Sequence, residues 1–114
     1  MTKIRPDSGW NIQRTTTSPG EMLQEEFITP MGLTQNALAM KLRVPATRIG
    51  DIIHGRRGIT PDTALRLARF FGNSPEFWLN LQQAYDLSKA RMELKSTIDR
   101  EVEAYTAGLR ANPQ

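Results

Sequence analysis

Three short signals cut this chain into helices before any hydropathy is weighed. Ser18-Pro19-Gly20-Glu21, Thr60-Pro61-Asp62 and Ser74-Pro75-Glu76 each put a hydroxyl before a proline and an acid just after it. A hydroxyl at the N-cap accepts from a first-turn N–H that has no partner inside the helix. Proline at the first helical position gives up only an N–H that was already unpaired, and the acid suits the positive end of the helix dipole. Ser18 and Glu21 also have capping-box spacing. Helices are therefore predicted to start at these three places.

Two shorter helices are predicted between the first and second starts. Thr34 is placed to cap one of them, with Leu33 and Leu38 at the ends of a hydrophobic staple and Leu38, Ala39 and Leu42 as its apolar stripe. Arg43-Val44-Pro45 interrupts it. The next carries Ile49, Ile52 and Ile53 and stops at Gly55, a residue suited to the left-handed position after a helix. The fourth presents Ala64, Leu65, Leu67, Ala68 and Phe71 to a core, and the fifth carries Phe77, Trp78, Leu81, Ala84 and Tyr85. No segment alternates at period two, so the chain is predicted to be all-α. Residues 1–17 read as a flexible arm and 18–92 as one domain. Residues 93–114 read as a helical extension and tail; the fifth helix is expected to run on past Tyr85, Glu93–Tyr105 could form a separate amphipathic helix, and Gly108, Asn112 and Pro113 mark a frayed end.

Several kinds of chemistry are unavailable. There is no cysteine, and His54 is the single histidine, so thiolate metal sites, histidine pairs and a conventional serine triad lack their groups. No H-E-x-x-H, Walker loop or G-x-S-x-G is present, and Glu25-Glu26 has no partner at catalytic spacing. An enzyme, a metal or another cofactor is not expected. No leader-like or membrane-spanning apolar run occurs, and a cytoplasmic protein is expected. Charge is more informative than its net value of +3. Residues 31–74 hold Lys41, Arg43, Arg48, Arg56, Arg57, Arg66 and Arg69 against Asp51 and Asp62, while the segments on either side are slightly acidic. Such a basic middle suits a polyanion, or is simply an arginine-rich solvated surface.

Spacing favours the polyanion. Counting Gln35 as position one, the small Ala39 stands fifth, where two helices joined by a tight turn cross closely. Val44, Ile49 and Ile52 stand tenth, fifteenth and eighteenth, facing inward after the turn, with Leu38 and Leu42 locking the pair from the first helix. The second helix then has an outward face that a DNA major groove can admit.

Leu33-Thr34-Gln35, Leu38-Ala39 and Leu42-Arg43-Val44 resemble the Cro/C1-type (XRE) phage-repressor helix-turn-helix. More narrowly, Pro19-Gly20-Glu21-Met22-Leu23, Arg48-Ile49, His54 to Thr60, Asp62 to Ala68, Phe77 to Gln82 and Tyr85-Asp86-Leu87 resemble the HigA-type antitoxins, over about residues 19–87. The resemblance implies a five-helix DNA-binding domain with a C-terminal helical extension. It also implies that the chain dimerises, represses its own operon and neutralises a ribonuclease toxin of the RelE/HigB type. A solitary regulator without a toxin is the alternative. Arg43 stands where the family usually has glycine, so a strained turn is expected there.

Carried onto this chain, the family pattern brings Ala46, Thr47 and Asp51 to base edges with Arg48 beside them. Arg48 would grip guanine bidentately or else bind a phosphate, Thr47 would meet a thymine methyl or stay neutral, and Asp51 would accept from cytosine or else discriminate against wrong sites. Gln35, Arg43, His54, Arg56 and Arg57 are expected on phosphates, and Arg66 and Arg69 in solvent. Phe77, Trp78, Leu81 and Tyr85 are expected to divide between core and a homodimer interface that matches an inverted-repeat operator. Trp10, with Ile4 and Ile12, and the acids Glu21 and Glu25 are the expected toxin contacts.

Overall fold

The computed structural model describes residues 17–106. The expected arm with Ile4, Trp10 and Ile12, and the tail with Gly108, Asn112 and Pro113, lie outside the described residues. Helix α1 (Pro19–Met22) opens with the capping box: Ser18 Oγ accepts from Glu21 N at 3.1 Å, and Ser18 N donates to Glu21 Oε1 at 3.4 Å. It runs directly into a π-helical segment, Leu23–Ile28, after which Thr29 N bonds Gln24 O at 2.9 Å. Helix α2 (Gln35–Leu42) is capped by Thr34 Oγ1, which accepts from Ala37 N at 3.0 Å. Then follow α3 (Ala46–Ile53), α4 (Pro61–Phe71) and α5 (Pro75–Glu101). Ser74 caps α5 through its hydroxyl, whereas Thr60 takes the extended N-cap backbone without a side-chain cap bond. No strand occurs among the described residues.

Leu23, Ile28, Leu38, Ala39, Leu42, Ile49, Ile52, Ile59, Ala64, Leu67, Ala68 and Trp78 form the core. Leu65 departs from the expected stripe and is exposed, because it lies about 100° around α4 from Ala64. Thr63 takes an inner position instead. Trp78, expected to share in the dimer interface, is fully buried. Its indole packs on Phe27 and Phe77 with ring centres 5.0 Å away, and its Nε1 donates to Asn73 Oδ1 at 2.9 Å. A ring so enclosed and satisfied is core. Phe77 stays partly exposed, and Leu81 and Tyr85 are half-buried.

No separate helix begins at Glu93. The fifth helix continues unbroken for 27 residues, since nothing between Tyr85 and Glu101 is a glycine or proline to stop it. Lys95 and Asp99, 2.7 Å apart, add an i,i+4 pair on its distal part. Val102 and Tyr105 fall beyond its end.

Candidate nucleic-acid interface

The turn between α2 and α3 sets the geometry of the site. Arg43 takes the left-handed conformation, φ 63° and ψ 45°, and is the one non-glycine residue with positive φ among those described. The reversal lets Val44 N bond Ala39 O at 3.0 Å. Ala39 is buried at the crossing, where its small side chain allows close approach. The strain read from the sequence is therefore real. Because an L-residue in this region costs about 1–2 kcal/mol and glycine loses part of that advantage in the unfolded chain, Arg43→Gly is expected to stabilise the domain by about 0.5–1 kcal/mol. A raised urea midpoint at unchanged slope would register it.

Two of the helices leave their positive ends without an acid. Helices α1, α4 and α5 carry Glu21, Asp62 and Glu76 in their first turns, but α2 and α3 carry none. These two form the helix-turn-helix, and α3 has no side-chain cap at Pro45. Ala46 and Thr47 are exposed on the first turn of α3. This turn thus presents short, exposed side chains and no acid, an arrangement that admits phosphate or base edges.

Structure brings together some of the expected contact residues and ties others down. Gln35 is half-buried and donates from Nε2 to Gln24 Oε1 at 3.2 Å, while Gln24 donates in turn to Thr29 Oγ1 at 2.9 Å. Asp51 accepts from Arg56 Nε at 3.0 Å, and its carbonyl accepts from Arg56 N and Arg57 N, closing the turn after α3. His54 Nδ1 donates to Gly50 O at 2.8 Å, which leaves Nε2 as the other polar edge of the ring. Arg43, His54, Arg56 and Arg57 are all exposed around the turn and the end of α3. Glu21 and Glu25 are exposed on the first helical stretch, away from the basic groups in sequence, with Glu21 also serving the capping box.

Arg48 does not extend freely toward a base. Its Nη1 lies 3.0 Å from Asp62 Oδ2, and its Nε is buried without a hydrogen-bond partner among the described residues. The other oxygen of Asp62 accepts from Arg66 Nε at 2.8 Å, and Arg66 Nη1 donates to Leu42 O at 2.9 Å, at the end of α2. Arg66 is therefore no idle surface charge; it ties α4 to the helix-turn-helix. The acid-to-base i,i+4 spacing of Asp62 and Arg66 was the available sequence signal for half of this network. Gln24 had no such signal. Nor did Gln82, whose Oε1 accepts from Ile59 N at 2.8 Å and holds the loop after α3.

The Asp62 carboxyl is held below its ordinary value of 3.8, chiefly by the hydrogen bond from Arg66 and next by that from Arg48. A depressed carboxylate contributes stability that is complete above the unfolded value and is lost as pH falls through the lower folded value. Asp62→Asn should therefore be less stable than the parent near neutrality, with the difference vanishing in acid below the ordinary carboxylate range. Paired denaturation curves at neutral and acid pH check this; a difference that persists undiminished in acid would contradict it.

Two short helices locked at Ala39, the second opening on an exposed first turn without an acid and edged by arginines, define a helix-turn-helix of the major-groove-reading class. Residues 24–78 match the helix-turn-helix family model. Virulence-associated protein I of Dichelobacter nodosus is 53% identical over 78 residues, 68% of this chain and 72% of that protein. Antitoxin HigA-1 of Vibrio cholerae is 44% identical over 79 residues, covering 69% and 74% of the two chains. The solved structure of Pseudomonas aeruginosa antitoxin HigA with the higBA promoter superimposes with a TM-score of 0.76 at 39% identity, over 79% of this chain and 98% of that one. The chain belongs to the XRE-type helix-turn-helix family and, within it, to the HigA-type antitoxins.

Proposed function

We propose that this protein is a cytoplasmic, sequence-specific DNA-binding repressor of its own operon and the antitoxin of a type II toxin–antitoxin pair. One observation carries the reading: α3 offers an exposed, acid-free first turn, with Arg43, His54, Arg56 and Arg57 around it. The promoter complex of the Pseudomonas aeruginosa HigA supports the same use of the fold. Ala46, Thr47 and Asp51 read base edges, joined by Arg48 where it leaves Asp62. Gln35, Arg43, His54, Arg56 and Arg57 bind phosphates. No described helix is long and apolar enough to cross a membrane.

A homodimer bound to an inverted repeat follows from one recognition helix per chain, with half-sites one helical turn apart, ~34 Å. The partly exposed Phe77, Leu81 and Tyr85 supply its contact. The partner is a ribonuclease toxin of the RelE/HigB type, met by Trp10, Glu21 and Glu25; acids there would complement a basic RNA-binding surface.

A gel shift with the DNA upstream of this chain's own gene tests the DNA reading. Retardation of that fragment at concentrations that leave scrambled DNA free is expected. Arg56→Ala should weaken binding to every sequence and reduce the salt slope by about one. Equal affinity for upstream and scrambled DNA would sink the repressor. Co-expression with the neighbouring gene tests the toxin; a chain that binds its operator yet protects from no neighbour is a solitary regulator.

A further inference from the structure

We propose that Asp62 is a specificity-determining residue of the DNA-binding face: it holds the Arg48 guanidinium against α4, so that Arg48 is released to an operator and not to arbitrary DNA. The inference rests on the DNA-binding reading above and concerns a residue that itself reads no base. Arg48 is the third residue of α3, and Asp62 stands in the first turn of α4. Their 3.0 Å ion pair joins the two elements, and the second oxygen of Asp62 is engaged by Arg66, itself anchored on Leu42 O. Asp62 is thus fixed from behind, while the largely buried Arg48 side chain has the Asp62 ion pair as its polar tether. The buried Nε of Arg48 has no hydrogen-bond partner among the described residues, so its held position leaves one donor unsatisfied.

These terms compete in a definite order. Leaving Asp62 exchanges one charge-assisted hydrogen bond for whatever the DNA offers. The O6 and N7 of a correctly placed guanine offer two acceptors to the planar fork, in a groove from which water is displaced. A single hydrated phosphate oxygen on random DNA offers no more than Asp62 already does. The half-exposed Asp62 carboxylate also repels the phosphate chain. The first effect suppresses non-specific binding more than operator binding, whereas the repulsion, being blind to sequence, lowers both alike.

Asp62→Asn keeps the side-chain volume but removes the charge that holds Arg48. Its affinity for a scrambled duplex at 0.1 M salt is expected to rise about tenfold, the contribution of one added phosphate contact, with the salt slope steeper by about one. Operator affinity should rise less than threefold, so the ratio of operator to scrambled binding falls. Asp99→Asn makes the same charge change far along α5, beyond a Debye length of ~10 Å, and should leave both affinities as they were. In an Arg48→Gln background the gain from Asp62→Asn on scrambled DNA should shrink to less than threefold. Equal gains from Asp62→Asn and Asp99→Asn would overturn the proposal, as would an undiminished gain without Arg48 or a parallel loss on both duplexes. Failure of the parent protein to prefer its operator would overturn the DNA-binding reading itself, a result visible before any variant is made.

Discussion

Replacing Gly20 with alanine is expected to destabilise the domain by about 3 kcal/mol, the upper end for overpacking a well-packed site. The reason is a close approach of backbones. A Cβ added at Gly20 would drive into the Ile52 carbonyl oxygen and would lie 2.7 Å from the Ile53 carbonyl oxygen and 2.8 Å from Ile53 Cα. All three obstacles are main-chain atoms at the end of the recognition helix, so no rotamer change removes them. Helix propensity alone argues for the opposite sign, since alanine is favoured over glycine in a helix by up to ~1 kcal/mol. The competition is therefore between a gain of at most that size and displacement of α1 from α3, and displacement wins. Gly50 supplies the contrast: a Cβ there meets only the Gln35 Oε1 atom, at an ordinary 3.7 Å. Thermal unfolding followed by circular dichroism should show Gly20→Ala melting roughly 12–24 °C below the parent, and Gly50→Ala close to it. A Gly20→Ala melting point within a few degrees of the parent would mean that α1 does not press on α3 as described.

Helix starts were legible because they depend on neighbouring residues alone. Ser18 and Ser74 cap through their hydroxyls as the sequence implied, and the positive φ of Arg43 falls where the family resemblance, with its usual glycine, implied it. Resemblance to the XRE and HigA-type chains carried the fold to a five-helix domain, which the structure and the relatives bear out. What depended on distant residues was not legible. Trp78 shares its helical stripe with Phe77, Leu81 and Tyr85, and periodicity cannot say which of these is enclosed by Phe27 and Phe71. The π-helical register of Leu23–Ile28 inserts one residue without any marker such as glycine or proline. Arg48 shows the same gap at the site itself. Its position on α3 follows from the motif, but its direction is set by Asp62, 14 residues away on another helix.

Thr47→Asp should separate folding from DNA binding by moving them in opposite directions. Thr47 is the second residue of α3, exposed, on a first turn that holds no acid and has no side-chain cap. An aspartate there meets the positive end of the helix dipole, worth 0.3–1 kcal/mol at about this position, and no packing is lost because the threonine is in solvent. The free protein should therefore be slightly more stable, melting roughly 1–8 °C higher. In the proposed DNA contact the same carboxylate would be brought against phosphates and base acceptors. Like-charge juxtaposition at an interface costs several kcal/mol, so operator affinity should fall by about a hundredfold or more. Ser96→Asp, an equal charge change on the exposed distal part of α5, should leave operator binding within about threefold of the parent, its charge being screened beyond ~10 Å. Fluorescence anisotropy with a labelled operator measures the affinities, and thermal melts of the same samples measure the folds. Since the first turn of α3 lacks an acid where those of α1, α4 and α5 each have one, an acid placed there would, in the proposed contact, compete with DNA. A Thr47→Asp protein that melts higher and still binds its operator normally would show that the first turn of α3 is not in the groove. A protein that melts lower would show that this turn is more enclosed than its exposure implies.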